Sequence, residues 1–455
     1  MKITKRDLPY EKVMAIKPPK HRKPGRPSRF MHGLIRVLSI PELIETGFTV
    51  NKIGMERLGK KEPCLILMNH SCFLDMKIAS ACLFPRPYHI VSTSDGFIGL
   101  NLVMRAIGCI PTTKFVTDVT LVRDLIHAVK KRRESVLMYP EASYSFDGTA
   151  TTLPESLGSL VKMLGVPVVM IRTYGAFTRT PLYNNLRARK VKVTADMEYL
   201  ISAEDTKTKT AEELMEIIGD RFSFDNFAWQ RDNGIVIDHP ERADGLSRVL
   251  YKCPHCLSEV GMHAEGVTLT CTSCGKSYTL REDGQMEACE GETEFPHIPD
   301  WYAWERACVR EELENGTYSL DVPVEIRMQV DTRAVYRVGE GRLHHGSDGF
   351  HLVGCPDENG VPQLDYHQKP LASYSLYSDY YWYEIGDMVC IGDTSRLYYC
   401  FPKTEHDIVA KTRLAAEELY KLVKAQKDAA RTEKRTRRKP ETNESSSQTE
   451  ENHHA

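Results

Sequence analysis

Short apolar runs alternate with stretches of helical period between about residues 50 and 200. CLILM (64–68), YHIVST (88–93), SVLMY (135–139), VPVVMI (166–171) and VKVTADMEYLI (191–201) read as strands. Between them, residues 117–133 place Leu121, Val122, Leu125, Ile126 and Val129 at helical spacing and end in KKRR, which suits a helix C-terminus. Strands alternating with helices predict an α/β layer on a largely parallel sheet flanked by helices. Thr210 and Glu213 form a capping-box signature that opens a further helix.

The pattern changes after about residue 245. PDWYAWERACVREELEN (299–315) has helical character. From 321 to 403, VEIRMQV, GFHLVG, SLYSDYYWYEI, MVCIGD and RLYYCF read as strands separated by Gly and Asp/Asn turns. Residues 405–424 then set Ile408, Ala415, Leu419 and Leu422 along one stripe. Several strands closed by one amphipathic helix predict a small β-rich unit, PH-like on topology alone, over 321–424. Residues 291–320 are expected to be a helical linker. Residues 425–455 have almost no apolar side chains and are expected to be disordered.

Composition narrows the class. With 455 residues, 41% hydrophobic and 27% charged, the chain fits several soluble domains. A net charge of −2 argues against bulk binding to nucleic acid, so no nucleic-acid partner is expected. The charge is uneven, because residues 1–30 hold ten Lys/Arg against Asp7 and Glu11. Such an arm suits an anionic membrane surface or a solvated tail. In FMHGLIRVLSIP (30–41), Phe30, Leu34, Val37 and Leu38 share one helical face, available to a lipid interface or to packing on the chain's own domain. Residues 1–44 are thus a basic arm with an amphipathic helix. No apolar run is long enough to span a bilayer, and Lys2, Lys5, Arg6 and Asp7 are not followed by a signal-like apolar stretch. The expected location is cytoplasmic, peripheral to a membrane.

Candidate chemistry begins at NHSCFLD (69–75). His70 and Asp75 stand five apart, a spacing shared by His239 and Asp244 in HPERAD. Only the first pair follows an apolar strand whose partner strand ends in an acid, Glu141 in YPEAS. Ligands of open α/β sheets bind at such carboxyl ends. A near-neutral His oriented by a carboxylate is suited to taking a proton from an attacking hydroxyl. The absence of a GxSxG elbow favours direct attack by an acceptor over an acyl-serine intermediate.

In order, NHSCFLD, GCIPTTK (108–114), YPEAS (139–143) and VPVVMI (166–171) resemble the four blocks of the 1-acyl-sn-glycerol-3-phosphate acyltransferase family over roughly residues 45–200. The resemblance implies an acyltransferase domain, taken as 45–240. It implies His70 as general base, Asp75 as its partner and Asn69 as a structural neighbour. It implies acyl-CoA or acyl carrier protein as donor, with Lys114, Glu141, Ala142 and Ser143 at the acceptor side. The family's second block ends in Arg where Lys114 stands. Its third block reads Phe-Pro-Glu-Gly-Thr-Arg-Ser, against Tyr139, Pro140, Glu141, Ala142, Ser143, Tyr144 and Ser145 here. Lys keeps charge but loses the bidentate fork. With both arginines changed, phosphate recognition by the acceptor site is altered while the acyl-transfer half is kept.

Four of the 13 cysteines form the pairs Cys253/Cys256 and Cys271/Cys274, with 14 residues between them. That is zinc-ribbon spacing, expected over 245–290, and four thiolates leave no open position on Zn2+, so the metal is structural. The ribbon and the PH-like unit are available for docking to a protein partner or to membrane lipids. The leading expectation is a peripheral acyltransferase acting on a lysophospholipid. The alternatives are an acyltransferase for a non-phosphorylated acceptor and a catalytically silent lipid- or protein-binding scaffold.

Overall fold

The computed structural model describes residues 3–116 and 118–437, with side chains to residue 433. A seven-stranded mixed sheet forms the first layer. Its order is Thr49–Ile53, Thr194–Ile201, Val168–Tyr174, Leu65–Met68, Ser135–Met138, Tyr88–Thr93, Cys109–Thr112. All neighbours run parallel except Val168–Tyr174 against Thr194–Ile201. The five predicted strands are present: Tyr88–Thr93 keeps its bounds, Val168–Tyr174 runs past its predicted end at 171, and the other three are trimmed at one end. Thr49–Ile53 and Cys109–Thr112 carry no clear sequence signal, because the first is nearly all exposed and the second spans only CIPT.

The central strand shows why the run CLILM carries no alternation. Leu65 and Leu67 enter the core on one face of the sheet, Ile66 and Met68 the core on the other. A parallel strand covered on both sides must be apolar at every position. The predicted helix at 117–133 is an α-helix Val119–Ile126, capped by the Asp118 side chain and continued by a π-helical turn His127–Lys131. The Thr210–Glu213 capping box closes in both directions ahead of helix Ala211–Arg221.

Beyond the first layer, strands Met262–Glu265, Thr268–Cys271, Ser277–Leu280 and Met286–Ala288 make a small antiparallel sheet. The third sheet orders Pro362–Gln368, Gly349–Pro356, Val335–Gly346, Leu320–Gln329, Leu397–Pro402, Gly386–Gly392 and Tyr377–Trp382. The stretch 291–320, expected to be a helical linker, contains helix Ile298–Glu314, which buries Trp301, whose indole N–H donates to the Lys252 carbonyl at 3.0 Å. Its apolar side joins Phe146, Phe177 and the third sheet in a single core. The basic arm is not wholly free, since Lys5–Asp7 pairs in parallel with Val335–Arg337.

At the other end, helix Val409–Arg437 runs past residue 424, where the composition predicts disorder. Residues 425–437 are mostly Ala, Lys, Arg, Gln and Glu, which favour helix without needing an apolar stripe. The rest of that expectation, 438–455, lies outside the described residues. No helix among the described residues is long and apolar enough to cross a membrane.

Helix Arg29–Glu45 resolves the choice left open for its apolar face. It packs inward through His32, Ser39 and Leu43, and leaves Phe30, Val37, Leu38 and Ile44 between 62% and 76% exposed. Buried His32 donates from Nε2 to the Ile107 carbonyl at 2.7 Å, which anchors the helix by a polar contact. The predicted stripe of Phe30, Leu34, Val37 and Leu38 therefore faces outward, while Met31, Ile35 and Leu43 pack on the core.

Candidate active site

His70 follows strand Leu65–Met68, and Glu141 follows the adjacent parallel strand Ser135–Met138. Parallel pairing alone brings both residues to one rim. Asn69 fixes the start of the loop: its Oδ1 accepts from the Thr173 amide at 2.7 Å, and its Nδ2 donates to the Thr173 carbonyl at 3.1 Å. These bonds tie the loop to the next strand, Val168–Tyr174.

Asp75 sits in the first turn of helix Leu74–Leu83 and is fully buried. Its Oδ2 lies 2.9 Å from His70 Nδ1, and it also accepts from the Ser71 and Cys72 amides at 2.6 and 3.0 Å. A carboxylate held this way places the imidazole proton on Nδ1 and leaves Nε2 for an external group. Burial pushes the His70 pKa down, and the Asp75 hydrogen bond opposes that shift. Two rings close over the imidazole, Tyr139 with centroids 4.1 Å apart and Tyr144 at 4.3 Å.

Glu141 is buried with both oxygens engaged by the loops. Oε2 accepts from the His70 amide at 2.9 Å and Oε1 from the Thr151 amide at 2.8 Å. Burial lifts its pKa to about 7, with those amides pulling the other way. Its place is therefore a brace beneath His70. Ala142, where the family has Gly, adopts φ +55°. Ser143 is buried, and its hydroxyl has no hydrogen-bond partner among the described residues.

Lys114 stands apart from these backbone contacts. Its Nζ lies 3.9 Å from the centroid of the Tyr377 ring, on the third sheet. Burial lowers its pKa, and Asp379 and Asp95 counter the shift. Tyr377 in turn donates to Asp95 at 2.6 Å. Arg413, from the C-terminal helix, donates to the Tyr144 carbonyl at 3.3 Å and lies 4.4 Å over the Phe146 ring. The sequence offered no sign that Tyr377, Asp379 and Arg413 reach this rim. They lie more than 200 residues from the blocks, and only tertiary packing delivers them. Tyr144 was visible as a departure from the family block, but not as a cover for His70.

The rival pair in HPERAD does not assemble. His239 Nδ1 accepts from the Glu241 amide, and Asp244 accepts from Gly266 and pairs with Arg187. Arg172 and Arg179 are held in ion pairs with Asp196 and Glu42, respectively.

Residues 49–173 match the family model described as Acyltransferase. The span contains His70, Asp75, Lys114 and Glu141. Among solved structures, the chain is similar to the 1-acyl-sn-glycerophosphate (LPA) acyltransferase PlsC from Thermotoga maritima. Identity is 15%, with a TM-score of 0.35, over 42% of this chain and 78% of that one. No curated protein matches the chain.

Outside the matched stretch, the four predicted cysteines converge. Cys253 Sγ lies 3.8 Å from Cys274 Sγ, and Cys256 Sγ lies 3.7 Å from Cys271 Sγ. Four sulfurs about 2.3 Å from one tetrahedral Zn2+ stand about 3.8 Å apart, so the set fits that ion. His255 and His263 lie outside it, paired with Glu294 and Glu265.

Proposed function

We propose that the acyltransferase domain moves a fatty acyl group from acyl-CoA or acyl carrier protein to a hydroxyl of a lysophospholipid such as 1-acyl-sn-glycerol-3-phosphate. The observation that carries this reading is the His70–Asp75 pair at the strand end. His70 Nε2 takes the acceptor hydroxyl proton as the oxygen attacks the thioester carbonyl. Collapse of the tetrahedral intermediate breaks the C–S bond, and the leaving thiolate takes the proton back from His70. Desolvation favours the neutral imidazole needed for the first step. The buried Asp75 carboxylate and the faces of Tyr139 and Tyr144 favour the imidazolium formed in it.

One observation favours a second reading, an acceptor without phosphate. Lys114 is already covered by the Tyr377 ring and faces the Asp379 carboxylate, and Tyr144 replaces the family's other arginine. A phosphate dianion placed there meets Asp379 as well as Lys114. Asp379→Asn is expected to raise activity on phosphate-bearing acceptors relative to neutral ones.

The chain is further proposed to act at a membrane surface. Exposed Phe30, Val37 and Leu38 on helix Arg29–Glu45 are joined by exposed Phe73 and Met76 on helix Leu74–Leu83 and its cap, and by Leu102 and Val103 on helix Asn101–Ile107. The first helix packs on the other two, and basic residues precede it in the arm. An apolar face with cationic flanks partitions into anionic interfaces. The four-cysteine unit as a zinc ribbon, and the C-terminal sheet with its helix as a PH-like unit, are read as docking and assembly modules.

The deciding experiment gives purified protein labelled acyl-CoA or acyl carrier protein with lysolipids bearing and lacking phosphate, beside His70→Ala. Transfer that the variant loses is the expected result. No transfer to any acceptor, with the variant indistinguishable, favours the silent scaffold instead.

A further inference from the structure

Three neighbouring strands of the C-terminal sheet place histidines in one row. His344 on Val335–Gly346 is in register with His351 on Gly349–Pro356, and His351 is in register with His367 on Pro362–Gln368. The adjacent register pair Leu343 and Leu352 is buried in the core, so the imidazoles project from the opposite, solvent-facing side. Asp365, two positions before His367 on the same strand, shares that face.

The side chains of His351, Asp365 and His367 converge on one point. Asp365 Oδ1 lies 2.9 Å from His351 Nε2 and 3.3 Å from His367 Nε2. The two rings stack with centroids 3.7 Å apart, and all three ligand atoms lie within 4.8 Å of one another. Tetrahedral ligands about 2.0–2.1 Å from a zinc-like ion stand about 3.3–3.4 Å apart, close to the Asp365–His367 separation, and binding an ion would turn the two stacked rings toward it.

We propose that His351, Asp365 and His367 form a second metal site, specific for a late first-row divalent ion such as Zn2+. Two imidazoles and one carboxylate select such ions over Mg2+ or Ca2+, which prefer all-oxygen shells. The ligands come from two strands already held in register by the ladder, so little ordering is required on binding. Ion pairing alone is a weaker account. One carboxylate oxygen lies against both ring nitrogens, and a metal ion would bind all three ligand atoms together. The fourth position faces solvent and holds water. Pro362–Gln368 is the edge strand of its sheet, so the ion would staple an otherwise singly paired edge to its neighbour. This site is independent of the acyl-transfer reading and of the four-cysteine cluster.

The test uses the full chain with the four-cysteine site loaded with zinc, titrated with Co2+ as the probe. One further equivalent is expected, with visible ligand-field bands and no thiolate-to-cobalt charge transfer. His351→Ala and His367→Ala should each abolish that equivalent, and His255→Ala beside the cysteine cluster should leave it intact. Hydrogen exchange at 362–368 should slow when Co2+ is added, and slowing should vanish in His367→Gln. The three side chains are on the surface, so a melting curve matching the parent verifies each variant's fold. No second equivalent, or one that survives both histidine substitutions, overturns the site.

Discussion

Asp75→Asn isolates the charge at the centre of the candidate site with little change of shape. In the parent, Asp75 Oδ2 accepts from His70 Nδ1, Ser71 N and Cys72 N. An asparagine oxygen in the same place still accepts from both amides, so the loop keeps its path. The carboxylate's attraction for an imidazolium is lost. A hydrogen bond to a charged group contributes about 1.5–3 kcal/mol, and each 1.36 kcal/mol is a factor of ten in rate. Acyl transfer is therefore expected to fall roughly 10- to 160-fold. The His70 pKa, already lowered by burial, should fall further, because the Asp75 hydrogen bond is what raises it.

That shift has a defined effect on stability. A His whose folded pKa lies below its unfolded value contributes stability that is present above about pH 6.5 and lost as pH falls through the folded value. The variant should therefore lose more stability on acidification than the parent. Imidazole NMR titration, acyl-transfer rates and melting curves at several pH values read the three quantities separately. A His70 pKa that rises or stays unchanged in Asp75→Asn, or a rate within twofold of the parent, refutes the pairing argument.

Three further outcomes follow from the same geometry. Ala142→Gly removes a left-handed alanine, φ +55°, and should raise unfolding free energy by about 0.5–1 kcal/mol, read by denaturant titration. Cys271→Ser should lose the zinc equivalent by metal analysis and lower the melting temperature, because Cys271 is buried beside the core that holds Trp301 and Tyr278. Phe30→Ser with Leu38→Ser should leave melting unchanged, since both side chains are exposed. The pair should weaken binding to anionic vesicles roughly 100-fold, at about 1.5 kcal/mol for each buried side chain lost.

What the sequence determined by itself was local. Apolar runs such as CLILM read as strands, the Thr210–Glu213 box opens a helix, and the paired Cys spacing suits one metal ion. The order of the blocks pointed to His70, Asp75 and Glu141, because strand-end residues of parallel neighbours meet at one rim. Tertiary structure decided everything that depends on residues far apart in the chain. It showed that in NHSCFLD, and not in HPERAD, the carboxylate folds back onto its histidine, which equal spacing says nothing about. It turned Glu141 into a brace, and set Tyr377 over Lys114. It also faced the Phe30, Leu34, Val37 and Leu38 stripe of helix Arg29–Glu45 outward, because Met31, Ile35 and Leu43 form the packed side with His32 and Ser39. A hydrophobic pattern encodes which side of an element is apolar. What meets that side depends on the packing of the whole chain.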